Sequence, residues 1–233
     1  REPAHELTQH ADVLGPLAAP ERPEPFLKSE TSLAGTGDTI RIPSDSEKVD
    51  AEAELVVVIG KTATDVCEAD AMDHVLGYTG FYDVSARISV RGSQSYFQAK
   101  SWATFGPMGP VIATKDELPD PNNISVRVWN GDYQFPGYNT GDMAHKIPRC
   151  IEWVSGIHAL EPGDILASGT NHRGLNAFQD GDLVELEIEG LGRLRVNIKD
   201  DLKRTWARDT RLEHAEKGLE GVATPQLTGK YAP

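Results

Sequence analysis

Cysteine is nearly absent from this sequence: Cys67 and Cys150 are the two thiols among 233 residues. Two isolated thiols make no disulfide framework and match no metal-type spacing, so a reduced, cytoplasmic protein is the expectation. Basic residues are scarce beside acidic ones, 23 against 36, which gives a net charge of −13. That balance argues against nucleic acid or an anionic membrane as a partner, because both demand lysine and arginine. No apolar run approaches the roughly 18 residues of a membrane span, and no signal peptide is visible. No stretch repeats another. The chain opens on Arg1 rather than methionine, so a fragment is the expectation, its N-terminal segment either removed or lying outside the given sequence. Its length suits one large domain with arms. The expected division is an N-terminal arm or lid over 1–25, a catalytic domain over 26–206 and a tail over 207–233.

What is present is organised around Asp50-Ala-Glu-Ala-Glu-Leu-Val-Val-Val-Ile-Gly60. Leu55 to Ile59 is an unbroken, β-branched apolar run, the pattern of a strand buried on both faces. Glu52 and Glu54 stand at its entrance. Side chains two apart share one face of a strand, so both carboxylates point the same way, roughly 6.6–7 Å apart at the backbone. Two like charges there repel and lose hydration unless a cation lies between them or one is protonated. The alternative is a strand that begins at Leu55 and leaves both glutamates in water.

Elsewhere the chain reads as short strands and few helices. A short helix is expected around Glu6–Leu14, followed by a proline-rich arm. Thr39–Ile42 alternates like a strand. Asp65 to about Leu76 reads as a helix, with an Asp65/Glu68 cap pair and a stripe of Val66, Ala69, Met72 and Leu76. Ile124–Trp129, a turn at Asn130-Gly131, and Asp132–Gln134 read as a hairpin. Asp142 to about Ile157 holds a second helix with Ile147, Ile151 and Val154 inward. Leu183–Ile188 and Leu194–Ile198 flank another hairpin turn. His74 and His158 read as structural. The sum is a β-rich α+β fold.

About 30 residues beyond the glutamates, Tyr82-Asp83-Val84-Ser85-Ala86-Arg87 sets a third carboxylate, Asp83, four residues before a cation. Lys100-Ser-Trp, Gly106-Pro-Met-Gly-Pro110, Asn130-Gly131, Pro162-Gly-Asp164 and Gly169-Thr170 follow in order. As an ordered set over residues 25–200 these resemble the fumarylacetoacetate hydrolase family. The resemblance implies that family's mixed β-sandwich roll with a few short helices, and a homodimer.

Three carboxylates without a Cys/His set favour a hard divalent cation, Mg²⁺ or else Mn²⁺ or Ca²⁺. With Glu52, Glu54 and Asp83 as ligands, an octahedral ion keeps positions for a 2-oxo acid and a water. The ion would act as a Lewis acid and favour an enolate. Arg87 and Lys100 are the candidate cations for substrate oxygens, with Lys100 catalytic. By resemblance Thr170 would bind the substrate carboxylate, and His172 is a further candidate contact. Hydrolytic members activate water with a histidine followed three residues later by a glutamate; here His10 is the nearest match, but Val13 stands where the acid belongs. Ile88-Ser89-Val90 also departs from the family's Asp-x-Gln.

The expected function is metal-dependent hydrolysis of a C–C bond in a 2,4-dioxo acid of the acylpyruvate type. The alternatives are decarboxylation, isomerisation or tautomerisation of a 2-oxo acid on the same site, or a metal-holding protein without turnover. Substrate preference would come from the arm and loops.

Overall fold

The structure, a computed structural model, describes residues 4–8, 21–87, 95–170 and 172–218. Twelve strands follow in chain order: β1 (Ala4–Thr8), β2 (Glu24–Lys28), β3 (Leu33–Ala34), β4 (Thr39–Arg41), β5 (Lys48–Ile59), β6 (Val75–Arg87), β7 (Gly106–Thr114), β8 (Ser125–Asn130), β9 (Tyr133–Asn139), β10 (Ile165–Ala167), β11 (Leu183–Ile188) and β12 (Gly192–Lys199). The described residues also hold three short helices: α1 (Tyr96–Lys100), α2 (Ile147–Ser155) and, after the last strand, α3 (Arg211–Glu216). The strands form two mixed sheets. One runs β2-β1-β10-β5-β6-β7-β3 and the other β4-β12-β11-β8-β9. This is the β-rich fold that the strand count implied, in the mixed-sheet form that the family resemblance implied.

β5 and β6 are the long strands of the larger sheet, and their antiparallel pairing sets the architecture. Their register runs from Lys48 opposite Arg87 to Val58 opposite Gly77. Along β5, Val49, Ala53, Leu55, Val57 and Ile59 face the principal core. There they meet Val84, Tyr82 and Ala86 of β6, and Leu186, Ile188, Leu194, Val196 and Ile198 of the second sheet. The alternate residues face the other way. Val56 and Val58 join Phe81, Ile165 and Ala167 in a smaller apolar cluster. On that same face, toward the start of β5, come Glu54, Glu52 and Asp50. Each fully buried valine or leucine contributes about 1.5–3 kcal/mol, so the apolar ends of this ladder fix the register that positions the acids.

Two expected helices do not form among the described residues. The segment after β5 holds a run of turns and one 3₁₀ turn at Ala71–His74, not a helix from Asp65 to Leu76. Its early amides are engaged elsewhere: Asp65 N donates to Ser155 O and Val66 N to Ser155 Oγ. Its end, Val75 onward, is drawn into pairing with β5. At the N-terminus, Ala4–Thr8 is strand β1, paired antiparallel to β2 and parallel to β10. The remainder of the expected Glu6–Leu14 helix lies outside the described residues. The hairpin between β8 and β9 forms as expected, one residue later, because Asn130 remains in the ladder opposite Tyr133 and its amide holds Asp182. α2 buries Ile147, Ile151 and Val154.

The segment after β12 is built into the fold. Arg204 is buried, and all five of its guanidinium N–H groups are engaged. They reach both Asp200 carboxylate oxygens and the carbonyls of Pro43, Ser44 and Ser46. Trp206 Nε1 donates to Glu47 O at 2.7 Å. Both residues thus fasten the loop that leads into β5.

Candidate active site

The β5–β6 ladder places Glu52 directly opposite Asp83, and Glu54 one pleat further along the same face. Ligand oxygens of the three carboxylates lie within 4.8 Å of one another, and all three side chains are buried. Opposed oxygens on an octahedral Mg²⁺ stand about 4.2 Å apart, and on the larger Ca²⁺ about 4.8 Å. The donor set is all carboxylate oxygen, which suits a hard divalent ion rather than a soft one. The residues therefore fit the cation that the sequence implied.

Cations crowd the same face. Lys28 ends β2 wholly buried; its Nζ lies 2.6 Å from Asp83 Oδ1 and 2.7 Å from Phe105 O. Lys100, at the end of α1, reaches Glu52 Oε2 at 2.9 Å and also pairs with Asp83 Oδ2. The ring of Phe26 covers the Lys100 amine at 5.0 Å and stacks on Tyr96. Arg87 binds Asp50 at 2.8 Å and Glu52 Oε1 at 3.3 Å, and Lys48 holds the second oxygen of Asp50 at 3.2 Å. His172 Nε2 lies 3.3 Å from Glu52 Oε1. Burial alone would raise the pKa of Glu52, but Lys100, the hydrogen bond from His172 and Arg87 outweigh it and hold the carboxyl well below its usual range. Asp50 is lowered in the same way, burial being overcome by Arg87 and Lys48.

Glu54 is gripped by backbone. Gly169 donates its N–H to Glu54 Oε2 at 2.5 Å. Its φ of 80° is left-handed, a conformation in which a side chain would be strained, so glycine is required to aim this amide. The adjacent Thr170 hydrogen-bonds the Tyr138 hydroxyl, which itself donates to Ala53 O at 2.6 Å. Burial, and then the nearby charge of Glu54, push the Tyr138 phenol far above its ordinary value.

The structure thus gathers Glu52, Glu54, Asp83, Lys100, Arg87 and His172 in one place, with Thr170 beside Tyr138 at its edge. Arg87 stands in ion pairs with Asp50 and Glu52. His10, Val13 and the Ile88-Ser89-Val90 stretch lie outside the described residues. Sequence reasoning passed over Lys28 and Asp50. Asp50 shares the face of Glu52 by the same two-residue period that paired the glutamates. Lys28 ends the apolar run Phe26-Leu27, and a charge closing a strand was the available signal.

A family model described as "Fumarylacetoacetate (FAA) hydrolase C-terminal" matches residues 2–199. The chain is 41% identical over 189 residues to "Oxaloacetate tautomerase fahd2, mitochondrial" of Xenopus laevis, covering 76% of this chain and 58% of that protein. It is 41% identical over 180 residues to the "4-hydroxyphenylacetate degradation bifunctional isomerase/decarboxylase" of Escherichia coli, covering 75% of this chain and 41% of that one. The chain thus spans about half the length of these two relatives. Among solved structures, a 5-carboxymethyl-2-hydroxymuconate delta-isomerase from Mycobacterium smegmatis superposes with a TM-score of 0.77 at 34% identity, over 86% of this chain and 79% of that one.

Proposed function

The chain belongs to the fumarylacetoacetate hydrolase family, whose members are enzymes, and from that premise we propose that it interconverts the keto and enol forms, or double-bond isomers, of a dicarboxylic 2-oxo acid. The observation that carries this reading is the buried triad Glu52, Glu54 and Asp83 with the amines of Lys28 and Lys100 set against it. Glu52, Glu54 and Asp83 would hold Mg²⁺, Mn²⁺ or Ca²⁺, which when bound supplies Lewis-acid polarisation of a keto oxygen.

Charge selects the substrate class. The acids Asp50, Glu52, Glu54 and Asp83 are equalled in number by Lys28, Lys48, Arg87 and Lys100, which pair with Asp83, Asp50 and Glu52. A divalent ion added to this near-neutral cluster leaves an excess of two positive charges, which suits an acid with two carboxylates. Lys100 is placed to donate a hydrogen bond to an oxygen that gains negative charge only as the reaction proceeds. Phe26 excludes water above that amine. Arg87 braces Glu52 from its other oxygen.

C–C hydrolysis of a 2,4-dioxo acid is the second reading, favoured by the family match itself. It requires an activated water, and the sequence offers His10 without an acid at position 13. A homodimer belongs to the same proposal, by analogy with the family.

Purified protein, stripped with a chelator and reloaded with Mg²⁺, should be assayed on enol-oxaloacetate, an acylpyruvate and an unsaturated dienedioate. Metal-dependent loss of the enol or dienol forms supports the first reading. Turnover of the acylpyruvate alone, increased by Val13→Glu and lost in His10→Ala, would replace it with hydrolysis.

A further inference from the structure

We infer that His172 and Arg211 act as a positioning pair that orients the Glu52 carboxylate, so that the segment after the second sheet is a working part of the acid site. This rests on the reading of Glu52 as a cation ligand. Arg211 opens α3, and its Nη1 lies 2.9 Å from His172 Nδ1. A guanidinium carries only N–H donors. Nδ1 is therefore the acceptor in this contact, and the ring proton sits on Nε2. That nitrogen faces Glu52 Oε1 at 3.3 Å as a donor. His172 is 3% exposed and Glu52 4%, so little water competes for the bond.

The placement is specific. Gly169 N–H binds Glu54, and three residues later His172 binds Glu52, so one short stretch addresses both glutamates. α3 is anchored to the end of that stretch, since Arg211 N donates to Leu175 O at 2.9 Å. Lys100 holds Glu52 Oε2, while Arg87 and His172 hold Oε1. The carboxylate cannot rotate without breaking one of these bonds. Arg211 reaches Glu52 through His172; it acts by fixing which nitrogen of His172 carries the proton. Partners of this kind, one step removed from the ligands, typically change metal affinity by about 10–100-fold when lost.

The test uses the full chain labelled with ¹⁵N-histidine. Long-range ¹H–¹⁵N spectra should show a neutral Nε2–H tautomer for the resonance that disappears in His172→Gln. In parallel, Mn²⁺ binding is measured by calorimetry, and melting temperature without metal, for wild type, Arg211→Ala and Arg211→Lys. Arg211→Ala should weaken Mn²⁺ binding about tenfold, and Arg211→Lys, which returns an N–H donor, should recover most of that loss. Wild-type affinity in Arg211→Ala, or an Nδ1–H or doubly protonated His172 in the wild type, would overturn the pair. Should Arg211→Ala not fold, the lysine variant and the wild-type spectrum decide. A wild type that takes up no Mn²⁺ sinks the cation reading by itself, whereas the tautomer of His172 still decides whether the pair exists.

Discussion

Lys100 competes for the carboxylates that a cation would use: its amine pairs with both Glu52 and Asp83. Removing that amine should separate binding from chemistry. In Lys100→Met, Mn²⁺ affinity should rise by about tenfold, which is ~1.4 kcal/mol. Two unit charges about 4 Å apart near a protein surface exchange up to ~4 kcal/mol, so the gain is within reach. Turnover should fall by about 10²–10³, the usual cost of a lost donor to a developing oxyanion. Calorimetry and steady-state kinetics on one preparation check both; weaker metal binding with intact turnover would remove Lys100 from the site. The thiols give a second contrast. Burial pushes Cys150 up to about 12, while Cys67 is exposed. A disulfide reagent at pH 8 should titrate one thiol in the native protein and two after denaturation; two native thiols would show that Cys150 is not sealed.

Between β6 and β7 the contact at Gly77 leaves no room. A Cβ there would lie 2.0 Å from Ala113 O, a backbone atom with no easy retreat. Gly77→Ala should therefore destabilise the chain by about 2–4 kcal/mol, as forced overpacking does. Urea unfolding measures this, and a loss under 1 kcal/mol would mean that the strands part without cost. Elements also show what the sequence could disclose. The face shared by Glu52 and Glu54 followed from strand period alone. Asp83 opposite Glu52 did not, because its position depends on where β6 starts, and the helical stripe from Val66 to Leu76 suggested a different start. That stripe shows helical spacing, but β5 offers Val75 a ladder partner, and Leu76, drawn into β6 beside it, is left exposed. The partners that Lys28 and Arg211 take were illegible for another reason. Each reaches the site through tertiary folding, Lys28 across 55 residues to Asp83 and Arg211 across 39 to His172, and no local periodicity records such distances.

Across the whole molecule, stability should depend on the acid ladder. Asp50 and Glu52 have folded pKa values below those of the unfolded chain. Their stabilisation is complete above the ordinary carboxylate range and disappears as pH falls through the lower folded values. Urea unfolding between pH 6 and pH 2.5 should show wild type losing stability below about pH 4, with Asp50→Asn converging on it at the acid end; parallel curves would refute this. Arg204 is the other global tie. Arg204→Ala should cost about 3–5 kcal/mol, because Asp200 is left buried and unpaired. Arg204→Lys should recover little, since three N–H donors on a flexible stem cannot replace five in a planar fork. A lysine variant with wild-type melting would show that charge alone suffices. The same tie has a meaning in time. Arg204 lies 158 residues after Ser46, whose carbonyl it holds. A ribosome adding about 5–20 residues per second emits the loop before β5 roughly 8–30 seconds before the arginine that fastens it. Early in that interval, before Arg87 and Lys100 have been made, the apolar run Leu55–Ile59 trails Glu52 and Glu54 without the cations that later hold Glu52. Charges flanking an apolar strand in this way disfavour its pairing with other chains before its own partner strand is made.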